Sequence, residues 1–337
     1  MANMSIVVPA YNAEKYIKKT LDSLKNQSMQ EIEIICVNDG SKDNTLRIMK
    51  EYAASDSRFI IIDKKNEGIA FARRDGIKKS SSKYISFLDS DDFYEKNFCE
   101  KMYILMEKNN LDLAECGYNL IFENNTVKEH YFLEKNVIFE KKDFIENIFN
   151  TTIINGKEGV VVWNKVYKKS IIDKAVKDYG KNVLEDYIFN LQYYSMVDRY
   201  QFIHETLLNY RVRSNSLSKK FDRNFFEALK NVQNVKEKIM IQMNFETEKY
   251  SQAAKWYCNY TKNYLLANSI YFKDINLFNQ VVNDSILENQ IKRCEKKDWF
   301  YTVTNKNKFL ITLSMCGYEI IRCGRKVLIS CIRGRGM

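Results

Sequence analysis

Three acidic side chains follow an apolar run in the stretch Leu88-Asp89-Ser90-Asp91-Asp92. Residues 84–88 have the composition of a short buried strand, and ligands of open α/β sheets bind beyond the carboxyl ends of strands. Neighbouring carboxylates repel one another unless a divalent cation joins them, and Mg²⁺ takes one or two carboxylates together with phosphate oxygens. The spacing therefore predicts a site for a metal-bound phosphate. The alternative is an Asp/Ser turn that caps a helix beginning near Phe93.

The elements before these acids alternate between strand and helix. Strands are predicted at residues 5–9, 32–37, 59–62 and 84–88, with amphipathic helices between them. This alternation is typical of right-handed βαβ units in a parallel sheet, whose loops gather at one edge. One rim is therefore expected to carry four segments: residues 9–12, Asp39, residues 66–68 and residues 89–92.

Strands and helices alternate less regularly after residue 110. Strands are expected at residues 111–122, 131–139, 200–204 and 207–212, and a helix begins with acids in its first turn near Glu185-Asp186. The last strand leads into Arg211-Val212-Arg213-Ser214-Asn215-Ser216, a basic, hydroxyl-rich loop that can hold phosphate oxygens. From residue 222 onward only helices are expected. We predict a domain over residues 1–216, with halves at 1–110 and 111–216, and a helical region over 217–337.

The net charge of +10 is confined to the C-terminal part of the chain. Residues 1–215 hold 32 Lys/Arg and 32 Asp/Glu, whereas residues 216–337 hold 21 and 11. This asymmetry favours a basic appendage that meets an anionic surface over a nucleic-acid-binding protein. Residues from about 306 to 337 predict a basic amphipathic segment at a membrane interface, or alternatively a helix packed on its own domain.

The predicted location is cytoplasmic, peripheral at the inner face of the cell membrane. No secretory leader is predicted, the eight cysteines contain no Cys-x-x-Cys pair, and no stretch of about 18 uncharged apolar residues predicts a membrane span.

Four stretches, taken together and in order, resemble the inverting family 2 glycosyltransferases of the GT-A fold. They are Ser5-Ile6-Val7-Val8-Pro9-Ala10-Tyr11-Asn12, Val37-Asn38-Asp39-Gly40-Ser41, Asn66-Glu67-Gly68 with Ala72-Arg73-Arg74-Asp75-Gly76, and Leu88-Asp89-Ser90-Asp91-Asp92. The resemblance covers residues 4–216. It implies a Rossmann-like α/β fold with a mixed, mostly parallel sheet flanked by helices, followed by a helical C-terminal extension.

The resemblance also implies a nucleotide site. Its expected residues are Pro9, Tyr11, Asn12, Asp39, Asn66, Gly68, Arg73 and Asp89. Asp39 would hydrogen-bond the uracil ring, and Asp89 the ribose or the metal. Asp91 would coordinate Mn²⁺ or Mg²⁺, with Asp89 and Asp92 as further candidate ligands.

The resemblance makes Asp186 the catalytic base of a Glu-Asp pair. The alternative is that Asp186 is an acid that only stabilises the first turn of its helix. Glu185 and the segment Trp163-Asn164-Lys165 would lie on the acceptor side, although core packing is the alternative for the tryptophan.

Arg211, Arg213, Ser214 and Ser216 match a loop that closes over the pyrophosphate. Many relatives carry histidine where this chain has Arg213. Since arginine cannot ligate a metal, this side chain is expected to pair with phosphate.

The implied function is a metal-dependent inverting transfer of a hexose or N-acetylhexosamine. The donor would be a UDP-sugar, and the acceptor a glycan or lipid-linked molecule in surface polysaccharide or glycoconjugate synthesis. The chain lacks the Gln-x-x-Arg-Trp motif of processive synthases, which favours transfer of a single sugar or a few.

Two alternatives stay open. A sugar-nucleotidyltransferase would need a Gly-rich phosphate loop after the first strand, where this chain has Pro9-Ala10-Tyr11-Asn12. The other alternative is a catalytically decayed, membrane-associated module that binds a nucleotide sugar.

Overall fold

The computed structural model describes residues 2–154, 160–180, 183–213, 224–267, 280–281 and 284–293. The chain divides into two compact units, Met1–Lys220 and Phe221–Met337. The boundary lies four residues beyond the end of the domain predicted over residues 1–216. The two units are described separately.

The first unit is built on a ten-stranded mixed sheet. Its strands are β1 (Met4–Ala10), β2 (Ile32–Asp39), β3 (Phe59–Lys64), β4 (Tyr84–Phe87), β5 (Phe93–Tyr94), β6 (Leu113–Phe122), β7 (Val127–His130), β8 (Val137–Glu140), β9 (Lys165–Lys168) and β10 (Arg199–Val212). The strand order is β3-β2-β1-β4-β9-β6-β10-β5, with β7 on β6 and β8 on β10. β1 to β4 are parallel, and β6 is parallel to β10. The predicted mixed, mostly parallel fold is confirmed.

Helices connect these strands. They are α1 (Ile17–Lys25), α2 (Thr45–Ser55), α3 (Ile69–Lys79), α4 (Phe98–Lys108), α5 (Lys141–Phe144), α6 (Lys169–Ala175) and α7 (Glu185–Tyr194), and a π-helical segment, Ile145–Ile154, follows α5. α3 packs so closely on β1 that a Cβ at Gly76 would lie 2.3 Å from Cγ1 of Val7. Only glycine allows this approach, which brings the start of α3 to the carboxyl end of the sheet.

The predicted strand over residues 131–139 is wrong. β7 and β8 are separated by a bend over residues 131–136, because they pair with different strands. β7 is antiparallel to the second half of β6, whereas β8 is antiparallel to the first part of β10.

Two other boundaries also differ from the expectation. The strands predicted at 200–204 and 207–212 are one strand, β10, whose register with β6 shifts between Ile203 and Leu208. The helix expected to begin near Phe93 begins instead at Phe98, since Phe93 and Tyr94 pair with β10. The turn over residues 89–92 therefore leads into a strand and does not cap a helix.

The described part of the second unit consists of helices, as predicted. They are α8 (Phe225–Gln242), α9 (Thr247–Ala267) and α10 (Ser285–Arg293). An ion pair joins α8 to α10, with Nη1 of Arg293 2.6 Å from Oε1 of Glu237. A second joins α8 to Asp284, the residue before α10, with Nζ of Lys230 3.2 Å from Oδ2 of Asp284. None of the described helices combines the length and the apolarity needed to cross a membrane. The amphipathic segment predicted from about 306 to 337 lies outside the described residues.

Candidate active site

The loops after β1 and β2 are tied together at the carboxyl edge of the sheet. The backbone N–H of Asn12 donates to the Ser41 hydroxyl at 3.0 Å, and the N–H of Lys42 donates to Oδ1 of Asn12 at 2.8 Å. Pro9 lies inside β1 beyond Val7, the last residue that pairs with β4, so its missing N–H falls where one neighbouring strand has ended. The side chain of Tyr11 projects from this loop and is 50% exposed.

Asp39 ties the loop after β2 to the start of α3. Its buried carboxylate accepts the backbone N–H groups of Glu67, at 2.9 Å, and of Gly68, at 2.8 Å. Gly68 can present its N–H in this way because its φ of +99° lies in the region that favours glycine. Asp39 therefore shapes the loop over residues 66–68, and a contact with a nucleotide base would use its remaining lone pairs.

Arg73 lies at the centre of the rim and contacts three carboxylates. Its Nη2 donates to Oδ1 of Asp89 at 2.9 Å, and its Nη1 donates to Oε1 of Glu185 at 3.2 Å and to Oδ1 of Asp186. The guanidinium is 7% exposed. These contacts connect the end of β4 with the start of α7, although Asp186 is 113 positions from Arg73 in the chain.

The charge around Arg73 is unbalanced, because one cation faces three acids. Burial, followed by the neighbouring charge of Asp186, raises the pKa of Glu185 to about 8, while Arg73 opposes the shift. Burial also raises the pKa of Asp186, again opposed by Arg73. A carboxylate with a raised pKa in a partly open site is suited to accepting a proton near neutral pH.

The start of α7 is fixed by contacts further along the helix. Asn190 accepts a hydrogen bond from the hydroxyl of Tyr167 at 2.9 Å. Gln192 accepts the backbone N–H groups of Lys177 and Asp178, both at 3.0 Å. These buried amides hold the helix, so that its first two residues, Glu185 and Asp186, face the rim.

The acidic turn after β4 is held by its neighbours. The hydroxyl of Thr20 donates to the carbonyl oxygens of Ser90, at 3.0 Å, and Asp92, at 2.7 Å. The backbone N–H of Arg211 donates to Oδ1 of the buried Asp92 at 2.8 Å. Asp91 forms an ion pair with Arg213. The three acids thus lie beside the first helix and the end of β10.

Two arginines of the predicted phosphate loop pack on aromatic rings. The Arg211 guanidinium lies 5.6 Å from the ring of Tyr16 and 5.2 Å from that of Phe93, and the Arg213 guanidinium lies 4.9 Å from Tyr16. Nζ of Lys19 lies 3.8 Å from the Phe93 ring. Burial and the charge of Arg211 lower the pKa of Lys19. The remaining residues of the predicted loop, Ser214 and Ser216, lie outside the described residues.

Sequence reasoning missed Lys19, Thr20, Phe93 and the contact made by Tyr16. The only available signals were the position of Phe93 directly after Asp92 and the i, i+3 spacing of Tyr16 and Lys19 on one helix face. Neither signal identifies a site by itself.

The segment Trp163-Asn164-Lys165 is buried, so a direct acceptor contact by Asn164 or Lys165 is not supported. Lys165 is 0% exposed, and its Nζ donates to Oε1 of Glu115 at 2.9 Å. Asn164 donates to the same oxygen at 3.1 Å. The ring of Trp163 stacks on Tyr210 with centroids 5.2 Å apart. The physical reason is that Lys165 begins β9, an internal strand between β4 and β6 whose first three residues are buried.

The acidic turn has a donor set that fits a hard divalent cation. Burial, followed by the charge of Asp89, raises the pKa of Asp91, and a dication between these carboxylates would relieve that repulsion. Oδ2 of Asp92 is buried without a hydrogen-bond partner in the described part of the chain. No three Asp, Glu, His or Cys side chains of the described residues converge into a complete metal cage. One or two carboxylates suffice where a ligand's phosphates supply the other oxygens.

Comparison with known proteins identifies the family of this chain. Residues 5–179 match the sequence profile of the family described as Glycosyl transferase family 2. The chain is 29% identical over 250 residues to the glycosyltransferase GlyA of Streptococcus pneumoniae serotype 4, an alignment that covers 73% of this chain and 36% of GlyA. It is 32% identical over 223 residues to EpsJ of Bacillus subtilis, described as an uncharacterized glycosyltransferase, covering 64% of this chain and 62% of EpsJ. The chain thus spans less than two thirds of either relative.

The fold is shared with a solved structure. The crystal structure of residues 1–349 of S. aureus TarS in complex with UDP-GlcNAc superposes with a TM-score of 0.67, covering 98% of this chain and 92% of that one, at 19% sequence identity. The topology agrees with the GT-A fold that the sequence predicts, and more than half of the chain matches the family profile. This chain therefore belongs to glycosyl transferase family 2.

Proposed function

We propose that this protein is a metal-dependent, inverting glycosyltransferase. It would move a hexose or N-acetylhexosamine from a UDP-sugar to a glycan or lipid-linked acceptor in surface polysaccharide or glycoconjugate synthesis. The observation that carries the proposal is the cluster in which Arg73 joins Asp89 to Glu185 and Asp186. Through it, the candidate donor-side acid Asp89 contacts Nη2 of Arg73, and the candidate base Asp186 contacts Nη1 of the same guanidinium.

A UDP-sugar is the donor that the rim supports best. The neighbouring TarS structure contains UDP-GlcNAc. In this chain, the loop after β1, the Asp39 loop and the acidic turn surround a common edge, where Pro9, Tyr11, Asn12, Asn66 and Gly68 would line the nucleotide. Arg211 and Arg213 lie beside the acidic turn and would contact its phosphates. Arg73, which the sequence suggests as a nucleotide contact, is engaged with carboxylates and would instead position them.

Asp186 would act as the general base. Its carboxylate takes the proton of the acceptor hydroxyl while that oxygen attacks the anomeric carbon from the face opposite UDP. The bond between the anomeric carbon and the phosphate oxygen breaks, its electron pair leaves with UDP, and the anomeric configuration inverts. Arg73 donates to Oδ1 of Asp186, and the backbone of Val162 also donates to this carboxylate, so the acceptor hydroxyl would use a remaining lone pair.

Glu185 would orient the acceptor. Burial and the neighbouring charge of Asp186 raise the pKa of Glu185 to about 8, which favours the protonated carboxyl group. A protonated carboxyl donates a hydrogen bond, which a sugar hydroxyl can accept.

Asp91 would hold Mn²⁺ or Mg²⁺, with Asp89 and Asp92 as further ligands. When bound, the metal would neutralise charge on the diphosphate leaving group as a Lewis acid. The protein's own part is to keep the acidic turn in place, through the Thr20 hydroxyl and the Arg211 backbone.

We further propose that the protein works at the cytoplasmic face of the cell membrane. Residues 309–337 combine an apolar sequence with five basic side chains, and each basic residue near an anionic leaflet contributes roughly 1 kcal/mol of binding. Truncation at about residue 305 is expected to abolish co-sedimentation with anionic vesicles while leaving UDP binding intact. Unchanged sedimentation of the truncated protein would refute this part of the proposal.

The proposed donor class is tested by a hydrolysis screen. UDP-sugars are incubated with the protein and Mn²⁺, and release of nucleoside diphosphate is measured beside GDP- and dTDP-sugars. Release from a UDP-hexose or UDP-N-acetylhexosamine well above that from the GDP- and dTDP-sugars is expected. Equal rates for all donors, or none with any, would contradict the proposal.

A further inference from the structure

The ion pair between Arg213 and Asp91 places a fixed cation on the carboxylate that the proposed function gives to the metal. The two side chains are largely shielded, with 29% of Arg213 and 20% of Asp91 exposed. The guanidinium also lies over the Tyr16 ring, with 4.9 Å between its central carbon and the ring centroid. Arg213 is therefore held on two sides in the absence of ligand.

Arg213 pairs with Oδ2 of Asp91, and a divalent cation on the same oxygen would be strongly repelled by the guanidinium. The repulsion is larger here than in bulk water because the site is shielded from solvent. A metal ion that binds this oxygen without a nucleotide must therefore displace Arg213. The displaced guanidinium would lose its charge-assisted hydrogen bond to Asp91.

A nucleoside diphosphate changes this balance. Its phosphate oxygens offer Arg213 another anion close to Asp91, and guanidinium groups match phosphate geometry well. The metal can then take Asp91 at little cost, while the arginine pairs with the diphosphate.

We propose that Arg213 couples the binding of the metal to that of the nucleotide. Arg213 forms an ion pair with Asp91 when the donor site is empty, and it forms an ion pair with the diphosphate when the donor is bound. The metal therefore binds weakly alone and tightly together with the nucleotide. Since coupling between two ligands is reciprocal, the nucleotide also gains affinity from the metal. This inference rests on the proposed function and makes Arg213 a positioning residue, not a metal ligand.

Arg211 provides a matched control. Its guanidinium packs on the same Tyr16 ring and on Phe93, so Arg211→Gln removes one positive charge from the same site. The backbone N–H that Arg211 donates to Asp92 survives this substitution. Arg211→Gln therefore reports the effect of net charge without the loss of the ion pair on Asp91.

The test is titration of the full chain with Mn²⁺ alone, following free Mn²⁺ by electron paramagnetic resonance, and then with Mn²⁺ in the presence of UDP. Arg213→Gln is expected to bind Mn²⁺ alone about tenfold more tightly than the wild type, as the loss of one charge-assisted contact allows. Arg211→Gln is expected to change this affinity by no more than about threefold, because it removes charge but no contact with a carboxylate. The increase in Mn²⁺ affinity that UDP causes should be smaller in Arg213→Gln.

Two results would overturn the inference: an unchanged affinity of Arg213→Gln for Mn²⁺ alone, or an increase equal to that of Arg211→Gln. Either result, with normal binding of UDP and Mn²⁺ by the wild type, would leave the proposed function standing. Absence of UDP binding by the wild type would instead contradict the proposed function. Arg213→Lys gives an independent reading if the glutamine variant does not fold, and an increase of about threefold is expected because lysine offers one point charge in place of the fork.

Discussion

Two clusters of charged side chains in the first unit each contain one cation but differ in the number of carboxylates that surround it. At the rim, Arg73 faces the three carboxylates of Asp89, Glu185 and Asp186. At the start of β9, Lys165 faces the single carboxylate of Glu115. The rim carboxylates are between 16% and 24% exposed, whereas the side chains of Lys165 and Glu115 are 0% and 1% exposed.

This difference distinguishes a candidate active site from a cluster that only stabilises the fold. The Glu115 carboxylate is fully satisfied, because the hydroxyl of Tyr200 also donates to it at 3.0 Å and Asn164 donates at 3.1 Å. This sealed cluster has no net charge, its groups are hydrogen-bonded, and it is closed to solvent, so it offers no accessible group to a ligand. Its role is to stabilise the packing of β6, β9 and β10. The rim cluster keeps excess negative charge, raised pKa values and an opening to solvent, which are the properties that proton transfer requires.

The largest expected effect is on catalysis at the rim. Asp186→Asn should lower the rate of sugar transfer by about 10³-fold, because an amide cannot take a proton. UDP affinity measured by calorimetry with Mn²⁺ should stay within about twofold of the wild type, since the amide keeps the shape of the side chain. A transfer rate that survives this change would show that another group is the base.

The sealed cluster should respond through stability. Lys165→Met leaves the Glu115 carboxylate buried without its cation, which is expected to lower the free energy of unfolding by about 3–5 kcal/mol. Urea denaturation measures this change. The double variant Glu115→Gln, Lys165→Met should recover part of the loss, because no uncompensated charge remains. A single variant as stable as the wild type would contradict the structural assignment.

A smaller effect is expected on donor binding. Asp91→Ala should weaken UDP binding in the presence of Mn²⁺ by about tenfold or more, down to the affinity measured without metal, because a principal metal ligand is lost. Calorimetric titration of UDP checks this, with the exposed Asp173→Ala on α6 as a control for the lost charge. Equal UDP affinity in Asp91→Ala and the wild type would remove Asp91 from the metal site.

The smallest effect concerns pH. Because the pKa of Glu185 is raised from 4.5 to about 8, the folded state binds a proton that the unfolded state releases between these values. The contribution of Glu185 to stability is therefore fully present below pH 4.5 and is lost as the pH rises toward 8. Glu185→Gln should make this decline measurably shallower in urea denaturation over the same pH range, because the amide does not titrate. The same slope in the variant would assign the decline to other groups.

The rim could be predicted from sequence because its parts follow strands. Alternating strands and helices put the ends of β1 to β4 on one edge, so the proximity of Asp39 to residues 66–68 follows from topology. The link made by Arg73 could not be predicted, because it depends on where α7 returns to the sheet, 112 positions further along the chain.

The sealed cluster was misinterpreted for a related reason. The family resemblance assigns Trp163-Asn164-Lys165 to the acceptor side, and the residues themselves do not indicate that Asn164 and Lys165 are buried. Its partner, Glu115, is 50 positions away and carries no signal in the sequence. The insertion of β9 as an antiparallel strand between β4 and β6 is what buries the pair.

The measurement that tests the central claim most directly is UDP release per folded molecule from the UDP-sugar that the screen selects, compared between Asp186→Asn and Lys165→Met at low temperature. The account predicts that Asp186→Asn loses turnover with an unchanged unfolding midpoint, whereas folded Lys165→Met keeps a rate close to that of the wild type. The opposite pattern, with turnover retained in Asp186→Asn and lost in folded Lys165→Met, would contradict it.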